Sequence, residues 1–401
     1  MTGVRTALVI GGGIAGPTAA MALHKAGIEP VVYEAHPRSA NGIGIFLTLA
    51  SNGIDALRTI GAGKTALAAG FSTPVIRLRS ATGKNMGENI TGMSLPDGTT
   101  SHTLKRADLY KAIHDEATSR GIRIERGKRL VDAQETRDGV RAVFADGTEA
   151  TGDVLIGADG IYSTVRTLID PAAPAPTYAG LANIGGYTRG VAVDAEPGSQ
   201  IMIFGKHAFF GYTVAPSGEV WWFANMAQAD EPARGEVEAI TGQEWQRRLA
   251  DLYAEDAGPA VQLVQASDAQ GITATPVHSI PHLPVWHTGR MVLIGDAAHA
   301  PTPTSGQGAS LSIEDAVTLA QCLRDLPGPQ PAFAQFEALR RPRAERIIKA
   351  AARINSTKAP GPVGQALLPV ILPVILKMTA NSKQVKQMYD YHIDWDHVIR
   401  S

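Results

Sequence analysis

Two glycine-bearing turns, far apart in the chain, carry the chemistry legible in its residues. The first is Gly11-x-Gly13-x-x-Gly16, which follows an apolar run and opens a helical pattern. In that setting Gly11 allows a tight turn, Gly13 lets a diphosphate approach the backbone, and Gly16 lets the helix pack close to the strand. The helix start, with Ile14 and Ala15, offers unpaired N–H groups and a positive dipole end to the phosphates. Glu34 closes the next strand, where a carboxylate suits ribose hydroxyls and repels a 2′-phosphate. This turn favours FAD or NAD over NADP.

The second turn separates those two. Gly289-Arg-Met-Val-Leu-Ile-Gly-Asp296-Ala-Ala-His299-Ala-Pro301 reads as a buried strand with a carboxylate at its tip. Asp296 there suits a polyol better than a phosphate, because anion repels anion; FAD has a ribityl chain and NAD has none. Pro303, Gly306, Gly308, Ala309 and Ser310 continue the path into a helix. The positive end of that helix would stabilise negative charge on a reduced flavin ring. His299, on a buried turn, reads as structural.

Holding both turns at one crevice requires a parallel sheet flanked by helices. Periodicity predicts strands over 6–10, 30–33, 123–125, 130–136, 140–144, 153–156 and 291–294, and helices over 15–26, 107–120, 243–253 and 309–323. Residues 74–104 read as hairpins, 42–52 as a loop leading into a helix, and 183–226 as an antiparallel sheet. The fold class is thus α/β: a Rossmann-like FAD-binding domain of segments 1–73, 101–180 and 271–355. It carries an inserted antiparallel β-sheet substrate domain of 74–100 and 181–270, then a C-terminal helical tail over 356–401.

Composition narrows the partners. A net charge of −1 favours neither nucleic acid nor an anionic membrane. The lone Cys322 rules out an internal disulfide and fits a reducing, cytoplasmic setting. The apolar run 366–378 is shorter than the ~20 residues of a membrane span and is twice broken by proline. It predicts a kinked helix packed on the body or in a dimer contact, which leaves monomer and homodimer both open.

The chain resembles the class A flavoprotein aromatic hydroxylases, the para-hydroxybenzoate hydroxylase family. The likeness rests on Gly11-x-Gly13-x-x-Gly16 with Glu34, Gly157-Ala-Asp159-Gly160 with Ser163 and Arg166, and Gly295-Asp296 with Ala-Ala-His299-x-Pro301. It implies a GR2-type FAD-binding fold, NADH or NADPH as transient reductant, and dioxygen. The implied reaction is hydroxylation or epoxidation of an aromatic or polycyclic small molecule through a flavin C4a-hydroperoxide. On this resemblance Arg106 contacts FAD near its pyrophosphate and ribityl portions, Leu130 brackets the adenine by its backbone, and Gly44 and Ile45 lie over the isoalloxazine. Asp159 resembles the aspartate tied to cofactor organisation and nicotinamide access. Ser310 departs from the asparagine frequent there in relatives.

No catalytic side chain is assigned, since this chemistry needs no protein nucleophile. For the substrate wall, strand alternation favours Phe209, Trp221 and Phe223, while Arg189 could bind an anionic substrate or be structural. His278, His282 and His287 lack a helix to align them, so no metal is expected. Glu314-Asp315 and Asp115-Glu116 read as surface or packing pairs. An FAD-dependent dehydrogenase or reductase of the same superfamily, or a catalytically silent FAD-binding pathway partner, remain alternatives; a halogenase's Trp-x-Trp-x-Ile-Pro signature is absent.

Overall fold

Continuous apolar runs flanked by helices form buried parallel strands, whereas alternating runs form antiparallel sheets with two different faces. Both kinds occur in the computed structural model, which describes residues 3–38, 44–357, 372 and 383–400. Apart from Leu372, the apolar run 366–378 lies outside the described residues.

In chain order the first part comprises β1 (Thr6–Ile10), α1 (Ala15–Lys25), β2 (Glu29–Glu34), β3 (Phe46–Leu49), α2 (Ser51–Thr59), α3 (Gly63–Ala68), β4 (Gly70–Ser72), β5 (Val75–Ser80), β6 (Asn85–Ile90) and β7 (His102–Lys105). There follow α4 (Arg106–Ser119), β8 (Arg123–Arg126), β9 (Leu130–Glu135), β10 (Val140–Phe144), β11 (Glu149–Gly152), β12 (Val154–Gly157) and α5 (Thr164–Ile169). The middle holds β13 (Thr177–Thr188), β14 (Gln200–Phe204), β15 (Phe209–Val214), β16 (Val220–Ala227), α6 (Glu236–Ala239), α7 (Gly242–Leu252), α8 (Ala260–Ala266) and β17 (Thr273–Ser279). Last come β18 (Met291–Leu293), α9 (Gly308–Asp325), α10 (Pro329–Thr357) and α11 (Lys383–Tyr389).

Five strands in the order β18-β12-β1-β2-β8 make an all-parallel sheet. Its apolar strands pack against helices such as α1 and against the antiparallel sheet β11-β10-β9, where Tyr33 stacks on Phe144, in one large core that includes Val9, Val32, Ile156 and Val292. A second sheet, β17-β13-β16-β15-β14-β5-β6, is antiparallel except where β5 lies parallel to β14. That exception arises because β5 enters from a distant segment and joins without a hairpin. Behind this sheet, Phe210, Tyr212 and Trp222 pack with Trp245, Leu249 and Leu263 in a separate core.

Residues 46–49, predicted as loop, instead form β3, which pairs with β7 between the two larger sheets. The tail beyond Tyr389 also differs from the predicted helix. It runs without helix along α9, where Gln321 donates to the carbonyls of Asp394 and His397 (2.7 and 2.9 Å) and Ile393 and Ile399 are buried.

Candidate active site

Side-by-side parallel strands deliver their C-terminal ends to one edge, and here four neighbours, β18, β12, β1 and β2, end at Asp296, Asp159, Gly11 and Glu34 respectively. Such an edge is where α/β sheets bind ligands. Hydrogen bonds carry the register past the strand ends: Ile294 N–H donates to Gly157 (2.9 Å), Ala158 to Ile10 (2.8 Å) and Gly11 to Tyr33 (2.8 Å).

The three glycines of the first turn do different work. Gly11 has φ +107°, and a Cβ there would lie 2.3 Å from the Ala158 carbonyl oxygen. At Gly16 a Cβ would sit 1.9 Å from the Gly11 oxygen, so α1 reaches the strand only with glycine there. Around Gly13 nothing lies within 4 Å of that position, which leaves its backbone open to the crevice. Ile14 and Ala15 begin α1, and no acidic side chain occupies its first turn.

Glu34 is buried, with one oxygen accepting from Gly12 N–H (2.7 Å) and the other from His36 N–H (2.7 Å). Each carboxylate oxygen keeps a further lone pair for a ligand hydroxyl. Gly12 is fixed from its other side by His114, whose Nε2 meets the Gly12 carbonyl. Arg126 donates to His114 Nδ1 at 3.1 Å. Since a guanidinium only donates, Nδ1 accepts and the imidazole proton sits on Nε2. Burial, opposed by the Gly12 bond and reinforced by Arg126, pushes the His114 pKa down. Nothing in the local sequence marks His114; it meets the turn only through the packing of α4 on α1.

Asp159 is committed to its own turn. Its carboxylate accepts from Ser163 Oγ (2.5 Å), Thr164 N–H (2.7 Å) and Val165 N–H (3.1 Å), which caps α5. Arg166, second in that segment's signature, donates to the carbonyls of Ala297 (3.2 Å) and Ile161 (2.7 Å) and so ties this turn to the one bearing Asp296.

Asp296 differs from both other carboxylates: among the described residues no donor is bonded to it. Burial pushes its pKa up, while Arg106 and His299 pull the other way. Its turn is held from beneath by Asp315 of α9, which accepts from Gly295 N–H (2.9 Å), His299 Nε2 (2.6 Å) and Arg340 Nε (2.7 Å). Glu314 is equally buried and binds Arg340 (2.7 Å), Arg343 (2.7 Å) and Asn52 (2.6 Å). The Glu314-Asp315 pair is therefore a packing device wholly inside the protein. Pro303 begins a single 3-10 turn, Gly306 takes φ +60°, and α9 starts at Gly308, bringing the amides of Ala309 and Ser310 to the helix start. The Ser310 side chain is buried against α2, where a Cβ on Gly53 would approach its Oγ to 2.6 Å. Only its backbone can face the crevice.

Arg106 opens α4 with an exposed side chain, and its Cδ would lie 2.8 Å from a Cβ at Gly44 (φ +75°). The Ile45 carbonyl accepts both Arg106 N–H (3.1 Å) and Tyr187 Oη–H (2.6 Å), which ties this loop to the seven-stranded sheet. Leu130, first in β9 and buried, lies just after Lys128, whose N–H donates to the Glu34 carbonyl (2.9 Å).

Alternation puts Phe209, Trp221 and Phe223 on one face of the seven-stranded sheet. Phe46 of β3 meets Trp221 and Phe223 at 5.8 and 5.9 Å between ring centres, and Phe71 of β4 meets Trp221 at 5.1 Å. Phe46 and Phe71 carried no pattern of their own that would single them out. Arg189 is exposed and paired with Glu219 (2.9 Å). The three histidines lie apart, each with its own carboxylate: His278 with Glu231, His282 with Glu345 and His287 with Glu337.

The donor set fits FAD: a glycine-lined helix start for the diphosphate, a paired acid with lone pairs free for a ribose, and a donor-free acid for the ribityl hydroxyls. Comparison with known proteins agrees. The family described as FAD binding domain matches residues 5–351. Aurachin C monooxygenase/isomerase of Stigmatella aurantiaca is 31% identical over 87% of this chain and 88% of its own. The FAD-dependent urate hydroxylase of Klebsiella pneumoniae is 30% identical over 88% and 90%. A solved structure, Klebsiella pneumoniae HpxO with FAD and uric acid, superposes with a TM-score of 0.82 at 26% identity, covering 96% of each chain.

Proposed function

The chain belongs to the FAD binding domain family, among its FAD-dependent aromatic hydroxylases, and from that premise we propose that it uses NAD(P)H and dioxygen to hydroxylate or epoxidise an aromatic or polycyclic small molecule. Bound in the crevice, FAD supplies two-electron uptake from the nicotinamide and delivery of one oxygen atom to the substrate, the other leaving as water.

The protein's own residues bind, orient and exclude water. The amides of Gly13, Ile14 and Ala15 take the diphosphate on the turn that Gly11 and Gly16 make possible. Glu34 takes ribose hydroxyls and Leu130 lies by the adenine. Asp296 would accept ribityl hydroxyls, and Arg106 would meet the cofactor near its pyrophosphate and ribityl portions. The segment from Pro303 through Gly306, Gly308, Ala309 and Ser310 lines the ring with backbone amides, where the positive end of α9 stabilises negative charge. Gly44 and Ile45 cover the ring. Asp159 acts through the α5 turn it caps, and so sets the path of the nicotinamide without touching it. Phe209, Trp221 and Phe223 wall the substrate, and their apolar surface keeps water from the reacting atoms.

The carrying observation is the donor-free Asp296 on the same strand edge as the Gly11 turn. The test is turnover of ring compounds by the flavin-loaded protein with NADH or NADPH under ¹⁸O-labelled dioxygen. A product carrying a single label supports the reading; oxidised product without label makes the protein a dehydrogenase.

A further inference from the structure

The extended chain beyond α11 has no helix or strand of its own, and side chains of four helices tie it down. Thr59 of α2 donates to the Ile393 carbonyl (3.2 Å), Asp55 of α2 meets His392 (2.6 Å), and Arg324 of α9 donates to the Trp395 carbonyl (2.7 Å). The Trp395 ring is shared by Lys25 of α1 and Arg324, at 4.8 and 4.7 Å from its centre. Anchors of this kind keep a terminal segment from fraying.

Tyr391 reaches a different set of groups. Its ring centre lies 5.1 Å from the guanidinium of Arg340 and 4.2 Å from that of Arg343, both on α10. These are the cations that hold Glu314 and Asp315, and Asp315 in turn takes Gly295 N–H and His299. Arg340 is fully buried, with Nε on Asp315 and Nη2 on Glu314; its Nη1 has no hydrogen-bond partner among the described residues. An unmatched donor on a buried cation is costly, and the face of an aromatic ring offsets part of that cost. Arg343 also fastens the base of the tail, donating to the carbonyls of Gln387 (2.6 Å) and Met388 (3.0 Å) in α11. One run of contacts therefore leads from Tyr391 through Arg340 and Asp315 to the turn that bears Asp296.

We propose that Tyr391 is a positioning residue for FAD: its ring keeps Arg340 and Arg343 dry on their carboxylates and thereby holds the Asp296 turn ready. It acts through that run of contacts, not by touching the cofactor. The inference rests on the crevice being an FAD site and adds the tail to what shapes it. Such coupling is reciprocal, so bound FAD must favour the seated tail by the same factor by which the seated tail favours FAD.

The experiment measures FAD dissociation constants by flavin fluorescence, and melting of the flavin-free protein, for the full chain and for Tyr391→Leu, Tyr391→Phe and Trp395→Leu. Tyr391→Leu is expected to weaken FAD binding about tenfold, and Tyr391→Phe, which keeps the ring, to bind like the native chain. Trp395→Leu, whose ring does not reach Arg340, should lower the melting temperature without that loss. In the native chain, which needs no substitution to fold, FAD should slow hydrogen exchange across residues 390–400. Native affinity in Tyr391→Leu, an equal loss in Trp395→Leu, or tail exchange indifferent to FAD would each overturn the proposal. A native chain that takes up no FAD would instead sink the reading of the crevice itself.

Discussion

His299 meets Asp315 at 2.6 Å, on the carboxylate oxygen that also takes the Gly295 amide at 2.9 Å. One buried atom thus clamps both ends of the turn that presents Asp296. Burial alone would raise the Asp315 pKa, but His299 and Arg340 hold it at about 2, so the clamp stays charged across the working range. Asp315→Asn leaves Arg340 buried beside a single carboxylate. We expect it to cost about 3–5 kcal/mol of stability and to weaken FAD retention. Thermal unfolding and flavin content after desalting check both.

A pH response follows from His114. The fold holds this imidazole neutral, with its pKa lowered chiefly by burial. As pH falls below the unfolded value of about 6.5, the unfolded chain takes the proton first. The contribution is therefore present above that value and is lost as pH drops toward the folded pKa. His114→Gln keeps an N–H donor for the Gly12 carbonyl but does not titrate. Its melting temperature should fall less than the wild type's between those two pKa values.

Trp221 and Trp222 are adjacent and lie on opposite faces of the seven-stranded sheet. Trp222 lies fully buried against the helices, with Nε1–H donating to Ser267 at 2.8 Å. Trp222→Ala should cost about 3–5 kcal/mol and lower the melting temperature. Trp221→Ala should act mainly on substrate, raising KM and uncoupling NAD(P)H oxidation from product. Melting curves paired with product-to-NAD(P)H ratios separate the two.

Much of this was legible in the residues, and the gaps share a cause. Strands such as Thr6–Ile10 and Met291–Leu293 announce themselves by continuous apolar runs, and Gly11, Gly16 and Glu34 by their offsets from those runs. The strand Phe46–Leu49 was hidden because its partner, His102–Lys105, is remote in sequence and its flanking glycines read as loop. For Asp315, two adjacent acids on a helix look like a solvated face until Arg340 and Arg343, a helix later, fold over them. Alternation placed Phe209, Trp221 and Phe223 together, but only the helices packed behind Trp222 show which face of the sheet they cover.

Flavin retention tests the central claim most directly. The purified chain is mixed with FAD, passed through a desalting column, and its visible spectrum read beside those of Gly16→Ala and Asp296→Ala. The account predicts a stoichiometric yellow complex for the native chain and marked loss of flavin in each variant, because each turn grips a different part of one molecule. A colourless native chain, or an Asp296→Ala protein as yellow as the native one, would contradict it.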